Sequence, residues 1–302
     1  VERARPLSRE HHRTARGGPG GISAAALVGG VVLSALLLGG CDSVSGIPVD
    51  DPAPARAAAS TIVTTATPPP TSTTAALAPP PADAPPVGEV PGWPDAAVAV
   101  RRWAADLRTA TLTELQAKCW TIAPGNAAEM YQGKQAILNA LAQPGVASAN
   151  AATWKSRATT VTVERDLIHT GYACPRVFPA GSEIAYNDAD ARHTVRRYLA
   201  RLVGSPLDAA DREADYPLVC KATPATWDPK GTGSPTQPPL AVNSAKLSGI
   251  TEFDGQEISS ARLGSEYLAV EAPVTDSTGT TKTRTFTVAE GPEGYCIGDV
   301  TS

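Results

Sequence analysis

Residues 60–86 read STIVTTATPPPTSTTAALAPPPADAPP, and this stretch decides how much of the chain is free to build a core. Proline has no amide donor and holds its backbone near polyproline II, so the stretch supports neither a helix nor a strand. It carries one charge, Asp83, and shows no helical or strand hydrophobic period. With its flanks it sets residues 41–92 apart as a semi-rigid tether. Some fifty residues at about 3.1 Å each span ~100 Å or more when extended. Ser/Thr-rich sequence with proline is also the pattern of an O-glycosylated stalk, and a bare tether fits the same residues. Folding is therefore expected after residue 92. The chain of 302 residues is 42% hydrophobic, enough apolar material for one or two packed domains.

Ahead of the tether, Arg3, Arg5, Arg9, Arg13 and Arg16 precede an apolar run at 22–38 that ends in Leu38-Gly39-Gly40-Cys41. A basic start, an apolar centre and small residues before a cut form the pattern of an export signal. The run is 17 residues long and contains two glycines, at the bottom of the range for a membrane span. Leu38-Gly39-Gly40-Cys41 resembles the lipobox of bacterial lipoproteins. The resemblance implies a signal peptide at 1–40, cleavage before Cys41, and diacylglycerol on the Cys41 thiol. It also implies a place at the outer face of the cytoplasmic membrane. Arginine in excess of lysine and abundant alanine suit a GC-rich, actinobacterial type of lipoprotein. Loss of residues 1–41 removes five arginines and two glutamates and takes the formal charge from −4 to −7. Such a body is not drawn to anionic lipid, so membrane attachment would rest on acyl chains. The same acidity, with only 5% aromatics, argues against a nucleic-acid partner.

Beyond the tether the pattern predicts helices followed by strands, twice. Pro94-Asp95 opens a helix, with Asp95 as the expected N-cap and Val100, Trp103 and Leu107 on one face. Thr111-Leu112-Thr113-Glu114 is a capping box for a second helix running toward Cys119, and 134–142 reads as a third. Residues 158–165, ATTVTVER, alternate as a strand, and another short strand leads to Cys174. Asn187 or Asp188 then caps a helix through Leu202. Strands are expected at 245–253, 256–263, 265–272, 280–289 and 295–300, the third and fourth forming a hairpin over Asp276-Ser277-Thr278-Gly279. Val195-Arg196-Arg197-Tyr198 echoes Val100-Arg101-Arg102-Trp103, and each half closes on a Gly-Tyr-x-Cys or Gly-Tyr-Cys segment. This predicts two α+β subdomains, 93–184 and 185–302, related by a diverged duplication.

Four cysteines remain once Cys41 is lipidated: Cys119, Cys174, Cys220 and Cys296. In an exported chain they predict two disulfides, with three possible connectivities. The duplication selects Cys119–Cys174 and Cys220–Cys296, one bridge per half. No CxxC occurs, and the wide spacings suit no compact zinc site.

Catalytic motifs are sparse. GxSxG, HExxH and SxxK are absent, as are glycine-rich phosphate loops. Beyond residue 41 the histidines are His169 and His193, each read as exposed or hydrogen-bonded rather than as a base. Asp188 and Asp190 lack the spaced oxygens and glycine turn of a calcium loop, and helix capping explains Asn187-Asp188 better. Asp208, Asp211, Glu213 and Asp215 read as a solvated acidic helical face. No catalytic residue, metal ligand or cofactor is therefore assigned.

Two short motifs point to a family. Gly294-Tyr295-Cys296-Ile297-Gly298-Asp299-Val300 resembles the closing strand of NTF2-like domains, and Tyr131-Gln132-Gly133-Lys134-Gln135-Ala136-Ile137 resembles their entry to the third helix. The resemblance implies helices packed on a curved antiparallel sheet, an α+β cone with a pocket between the layers. It implies no single activity. The expectation is a lipid-anchored envelope protein with a non-catalytic binding or accessory role, its partner an envelope protein. The alternatives are a carrier of a small apolar ligand in the cone, or an NTF2-like enzyme with Asp, Glu, His169 or Tyr lining it.

Overall fold

A computed structural model describes residues 78–301 apart from Ser265; the signal at 1–40, Cys41 and the tether up to residue 77 lie outside the described residues. The fold is α+β, with two antiparallel sheets and a separate apolar cluster at each.

The packed chain begins ahead of the expected boundary at residue 92. Gly88 donates its amide to the Leu141 carbonyl (2.7 Å), Gly145 donates to Glu89 (2.9 Å), and Val90 is buried. A Cβ on Gly88 would lie 1.8 Å from the Gln143 carbonyl oxygen, so only glycine permits this approach. The segment satisfies its backbone groups on distant backbone, which leaves no periodic mark in its sequence.

Helix α1 (Pro94–Thr109) starts with proline at its first turn, where a missing amide costs nothing. Trp93, not Asp95, holds the N-cap position; Asp95 sits in the first turn, where the helix dipole favours an acid. Val100, Trp103 and Leu107 are fully buried, as their spacing requires. Helix α2 (Leu112–Lys118) carries the Thr111–Glu114 capping box. Helix α3 (Pro124–Met130) was not anticipated, and α4 (Lys134–Leu141) matches the third expected helix. Strands β1 (Val146–Ala147), β2 (Ala151–Lys155) and β3 (Thr159–Glu164) follow, then α5 (Arg165–His169) and β4 (Arg176–Pro179), giving a sheet in order β1-β2-β3-β4. Trp154 lies opposite Val161, and Ala152 opposite Val163; all four enter the apolar cluster beneath the helices.

The second half has one long helix, α6 (Asp188–Leu202), and a short one, α7 (Pro239–Val242). Its sheet comprises β5 (Ile250–Phe253), β6 (Ser259–Arg262), β7 (Tyr267–Asp276), β8 (Thr281–Gly291) and β9 (Gly294–Thr301). β7, β8 and β9 form a meander, and β5 and β6 both pair with β7. The β7–β8 hairpin turns as read: Asp276 accepts from the amides of Thr278 (2.9 Å) and Thr280 (3.2 Å). The expected strand at 245–253 is shorter, because 244–246 winds into a 3-10 turn.

Helix α6 is two-sided. Ala191, Val195, Tyr198 and Leu199 form its apolar stripe in the second cluster. Asp190, His193, Thr194 and Arg197 form a buried polar stripe at the same helical spacing. This polar stripe meets the first half: His193 Nε2 donates to the Trp120 carbonyl (2.8 Å), Arg176 pairs with Asp190 (3.1 Å), and Asn126 and Asn187 exchange side-chain hydrogen bonds.

Cys119 is joined to Cys174, and Cys220 to Cys296, one bridge within each half. Cys119 at a helix end and Cys296 in the closing strand β9 sit as expected, whereas Cys174 and Cys220 do not. Cys119 does cap α2, but Cys174 precedes β4 in an irregular segment. Cys220 follows Val219, which bridges to Ile297 on β9. Two disulfides are the mark of an oxidising, extracytoplasmic compartment. No described helix is long and apolar enough to cross a membrane.

Candidate functional site

The face of the first sheet turned away from its helices lines a cavity of about 320 Å³ at the seam between the halves. Strand alternation builds this wall. Val161 and Val163 point into the apolar cluster, so Thr162 and Glu164 point the other way. Register places Arg176 beside Thr162 and Ala151 beside Glu164, and all four line the cavity. The opposite wall comes from Asp215, Tyr216 and Pro217 and from the β8–β9 turn at Pro292 and Glu293. A smaller recess of about 80 Å³ shares Arg176, Tyr186, Arg197 and Glu293 and reaches His193. The disulfides stiffen both sides: Cys119–Cys174 ties down the chain before Thr121 and Ile122, and Cys220–Cys296 clamps the segment after Pro217 onto β9.

Each arginine at the seam is already committed. Arg176 pairs with Asp190, and its guanidinium lies 4.4 Å from the Tyr186 ring centre. Arg197 donates twice to Asp211 (2.7 and 3.2 Å) and lies 4.9 Å from the Trp120 ring centre. Arg165 donates to the carbonyls of Ala149 (2.8 Å) and Ser148 (3.1 Å) and lies 3.8 Å from the Trp93 ring centre. Such cation–π seats hold guanidinium groups in place without consuming a carboxylate.

Glu164 is different. It occupies the N-cap position of α5, but its side chain does not cap the helix. Burial pushes its carboxyl above the ordinary range; Arg176 opposes the shift, while Glu293 and Asp166 add to it. Tyr186, in the position before the α6 N-cap, is buried, and its hydroxyl makes no hydrogen bond of ordinary geometry. The hydroxyl still lies close enough to Glu164 to favour the carboxylate slightly. Burial and then the charge of Glu164 push the Tyr186 phenol up to about 12. An enclosed polar atom without a partner is costly, and such groups mark places where a ligand or water supplies the bond.

The residues singled out from sequence fall elsewhere. Cys174 touches the cavity through its disulfide wall, whereas Cys119, Cys220 and Cys296 do not line it, and Cys41 lies outside the described residues. His169 is exposed at the end of α5. Desolvation lowers His193 to about 4, with Arg197 and Arg196 acting in the same sense against the Trp120 hydrogen bond. The acidic group at 208–215 is not helical; Asp208, Glu213 and Asp215 are exposed as expected, but Asp211 is not. Asp211 is buried between Arg197 and Arg201, and Glu213 accepts from the amides of Leu218 and Val219 at 2.9 Å. No group of three or more His, Cys, Asp or Glu is placed to hold a metal among the described residues. Sequence reasoning missed Glu164 and Tyr186. The available signal was a charged residue closing a fully buried strand and an aromatic placed just before a capping box.

Comparisons with protein-family models, with curated proteins and with solved structures give no match.

Proposed function

We propose that this chain is a lipid-anchored binding protein of the bacterial envelope, exported and held by Cys41, which seats a small polar ligand in the seam. The observation that carries the reading is the buried Tyr186 hydroxyl, which has no hydrogen-bond partner of ordinary geometry, in a cavity wall that also holds the Glu164 carboxyl. A volume of about 320 Å³ is at the small end for ligand pockets, suited to one small molecule or one side chain. Anchoring is supported by Leu38-Gly39-Gly40-Cys41 and by the disulfides, which require an oxidising compartment. The role is non-catalytic, with the acidic body reached by partners in the envelope. We also read the halves as diverged NTF2-like units. Supporting this, Val100 and Trp103 of α1 and Val195 and Tyr198 of α6 enter their respective cores from matching positions.

An apolar carrier would need empty space between helices and sheet; in the first half Trp103, Leu107 and Trp154 fill that space. Catalysis is the second reading, favoured by the raised Glu164 carboxyl in a cavity, a usual setting for a general acid. Native mass spectrometry of the full-length protein purified from its membrane fraction tests the proposal. It expects a diacylglycerol mass on Cys41 that Cys41→Ser abolishes, and a small polar adduct that leaves on unfolding. A protein found unlipidated, and with a Tyr186→Phe variant that carries the same adduct, would refute it.

A further inference from the structure

Charge accounting at the seam narrows the ligand. Arg176 is balanced by Asp190, Arg197 and Arg201 together by Asp211 and Glu213, and Asp215 pairs with Arg212 at 3.1 Å. Among the described residues no cation lies within ion-pair distance of Glu164, Asp166 or Glu293. All three line the same cavity, and Glu293 and Asp166 both repel charge on Glu164. Against these three carboxylates stands one guanidinium without a carboxylate partner, Arg165, already held by two carbonyls and the Trp93 ring. The seam therefore has a surplus of negative charge and no arginine free to receive an anion. It also holds a buried hydroxyl, on Tyr186, whose lone pairs accept from no donor.

We propose that the seam takes its ligand by a positively charged amino group, seated between Glu164, Glu293 and the Tyr186 hydroxyl. This inference rests on the reading of the seam as a ligand seat and names the chemistry of what enters it. An ammonium has three donors and no acceptor, which matches two carboxylates and a hydroxyl oxygen. A carboxylate or phosphate would meet three like charges on the cavity lining. A neutral hydroxyl could satisfy Tyr186 and Glu164 but would leave the surplus charge uncompensated. The Tyr186 ring already carries Arg176 on one face, and its enclosed hydroxyl is the group left without a partner.

The test uses the purified full-length protein and three probes with the same five-carbon chain followed by isothermal titration calorimetry: 1,5-diaminopentane, 1,5-pentanediol and glutarate. The diamine is expected to bind, with the diol and the diacid at least tenfold weaker. Glu164→Gln should weaken the diamine at least tenfold. Tyr186→Phe keeps the ring that carries Arg176 and deletes only the unpartnered hydroxyl, so it should fold with unchanged melting temperature and still lose diamine affinity several-fold. Diamine binding that neither variant alters would overturn the proposal, as would the absence of diamine binding. Binding of the diol or the diacid that Tyr186→Phe weakens would overturn the ammonium chemistry while leaving the seam as the ligand seat. Glu164→Gln that failed to fold would leave Tyr186→Phe to decide.

Discussion

Asp211 lies behind the cavity wall, and Asp211→Asn measures how firmly that wall is held. Its side chain is closed to solvent, and those of Arg197 and Arg201 are only 9% and 12% exposed. The carboxylate accepts from Arg197 Nε (3.2 Å), Arg197 Nη2 (2.7 Å) and Arg201 Nε (3.1 Å), and from Arg201 Nη2 as well. Asparagine keeps one acceptor oxygen, turns an NH₂ toward donors, and removes the charge that two guanidinium groups share. Breaking a buried ion pair costs about 3–5 kcal/mol. Glu213 still pairs with Arg201 Nη1 at 2.6 Å, which sets the expectation at the lower end, about 3 kcal/mol. With a urea slope of ~2–3 kcal/mol/M, the unfolding midpoint should fall by roughly 1–1.5 M. Asp215→Asn, which touches only the exposed Arg212 pair, should stay within about 0.5 kcal/mol of the parent. Burial alone would raise the Asp211 carboxyl, but the hydrogen bonds from Arg197 and Arg201 outweigh it and hold it below its usual 3.8. A depressed carboxyl stabilises the fold above its unfolded value and loses that contribution as pH falls through the folded one. The gap between parent and variant should therefore narrow below about pH 4. An Asp211→Asn protein that unfolds within 0.5 kcal/mol of the parent at neutral pH, on the order expected for an ordinary surface change, would falsify the view that this carboxylate pins the wall.

Three further outcomes are expected. His193 titrates at about 4 in the fold against 6.5 when exposed, so the unfolded chain binds a proton that the fold does not between those values. Stability should thus fall by about 3 kcal/mol as pH drops from 6.5 to 4. His193→Gln, which keeps a donor for Trp120, should flatten that slope, and the His193 NMR signals should not titrate above about pH 5. A Cβ at Gly298 would sit 2.1–2.5 Å from three Trp227 ring atoms. Gly298→Ala should cost about 1–3 kcal/mol and change the near-ultraviolet circular dichroism, whereas Gly125→Ala in α3, with open space around it, should be neutral or stabilising. The disulfides close loops with separations of 55 and 76 residues, so serine at both cysteines of either pair should cost about 4 kcal/mol, read from urea midpoints.

Legibility followed the range of the interactions. The Thr111–Glu114 capping box, the cap at Asn187 and the Asp276 turn are settled within four residues, and all three formed as read; the reciprocal bond from the Asn187 amide to Asp190 was an addition. Strand β2 and helix α3 were missed. β2 pairs with a strand whose alternation was visible, but its own sequence, AATWK, is too short to show a period. α3 begins at Pro124 without a side-chain cap. The segment 84–92 was read as tether because its hydrogen bonds go to Leu141, Gly145 and Trp154, which no local pattern records. Asp211 looked solvated like its acidic neighbours because its partners, Arg197 and Arg201, stand more than one helical turn away in sequence.

By itself the sequence determined where several helices and strands begin and end, an α+β chain, and four cysteines suited to an oxidising compartment. Periodicity, caps and composition are properties of neighbouring residues, so they survive without coordinates. Only the tertiary structure decided that α6 serves two partners, burying an apolar stripe in its own sheet and a polar stripe against the other half. Only it brought Glu164, at the end of one strand, beside Tyr186, 22 positions later and ahead of the next half's helix. A carboxyl and a hydroxyl acquire shifted titration and unmet hydrogen-bonding capacity from what surrounds them, and those surroundings come from parts of the chain that meet only on folding.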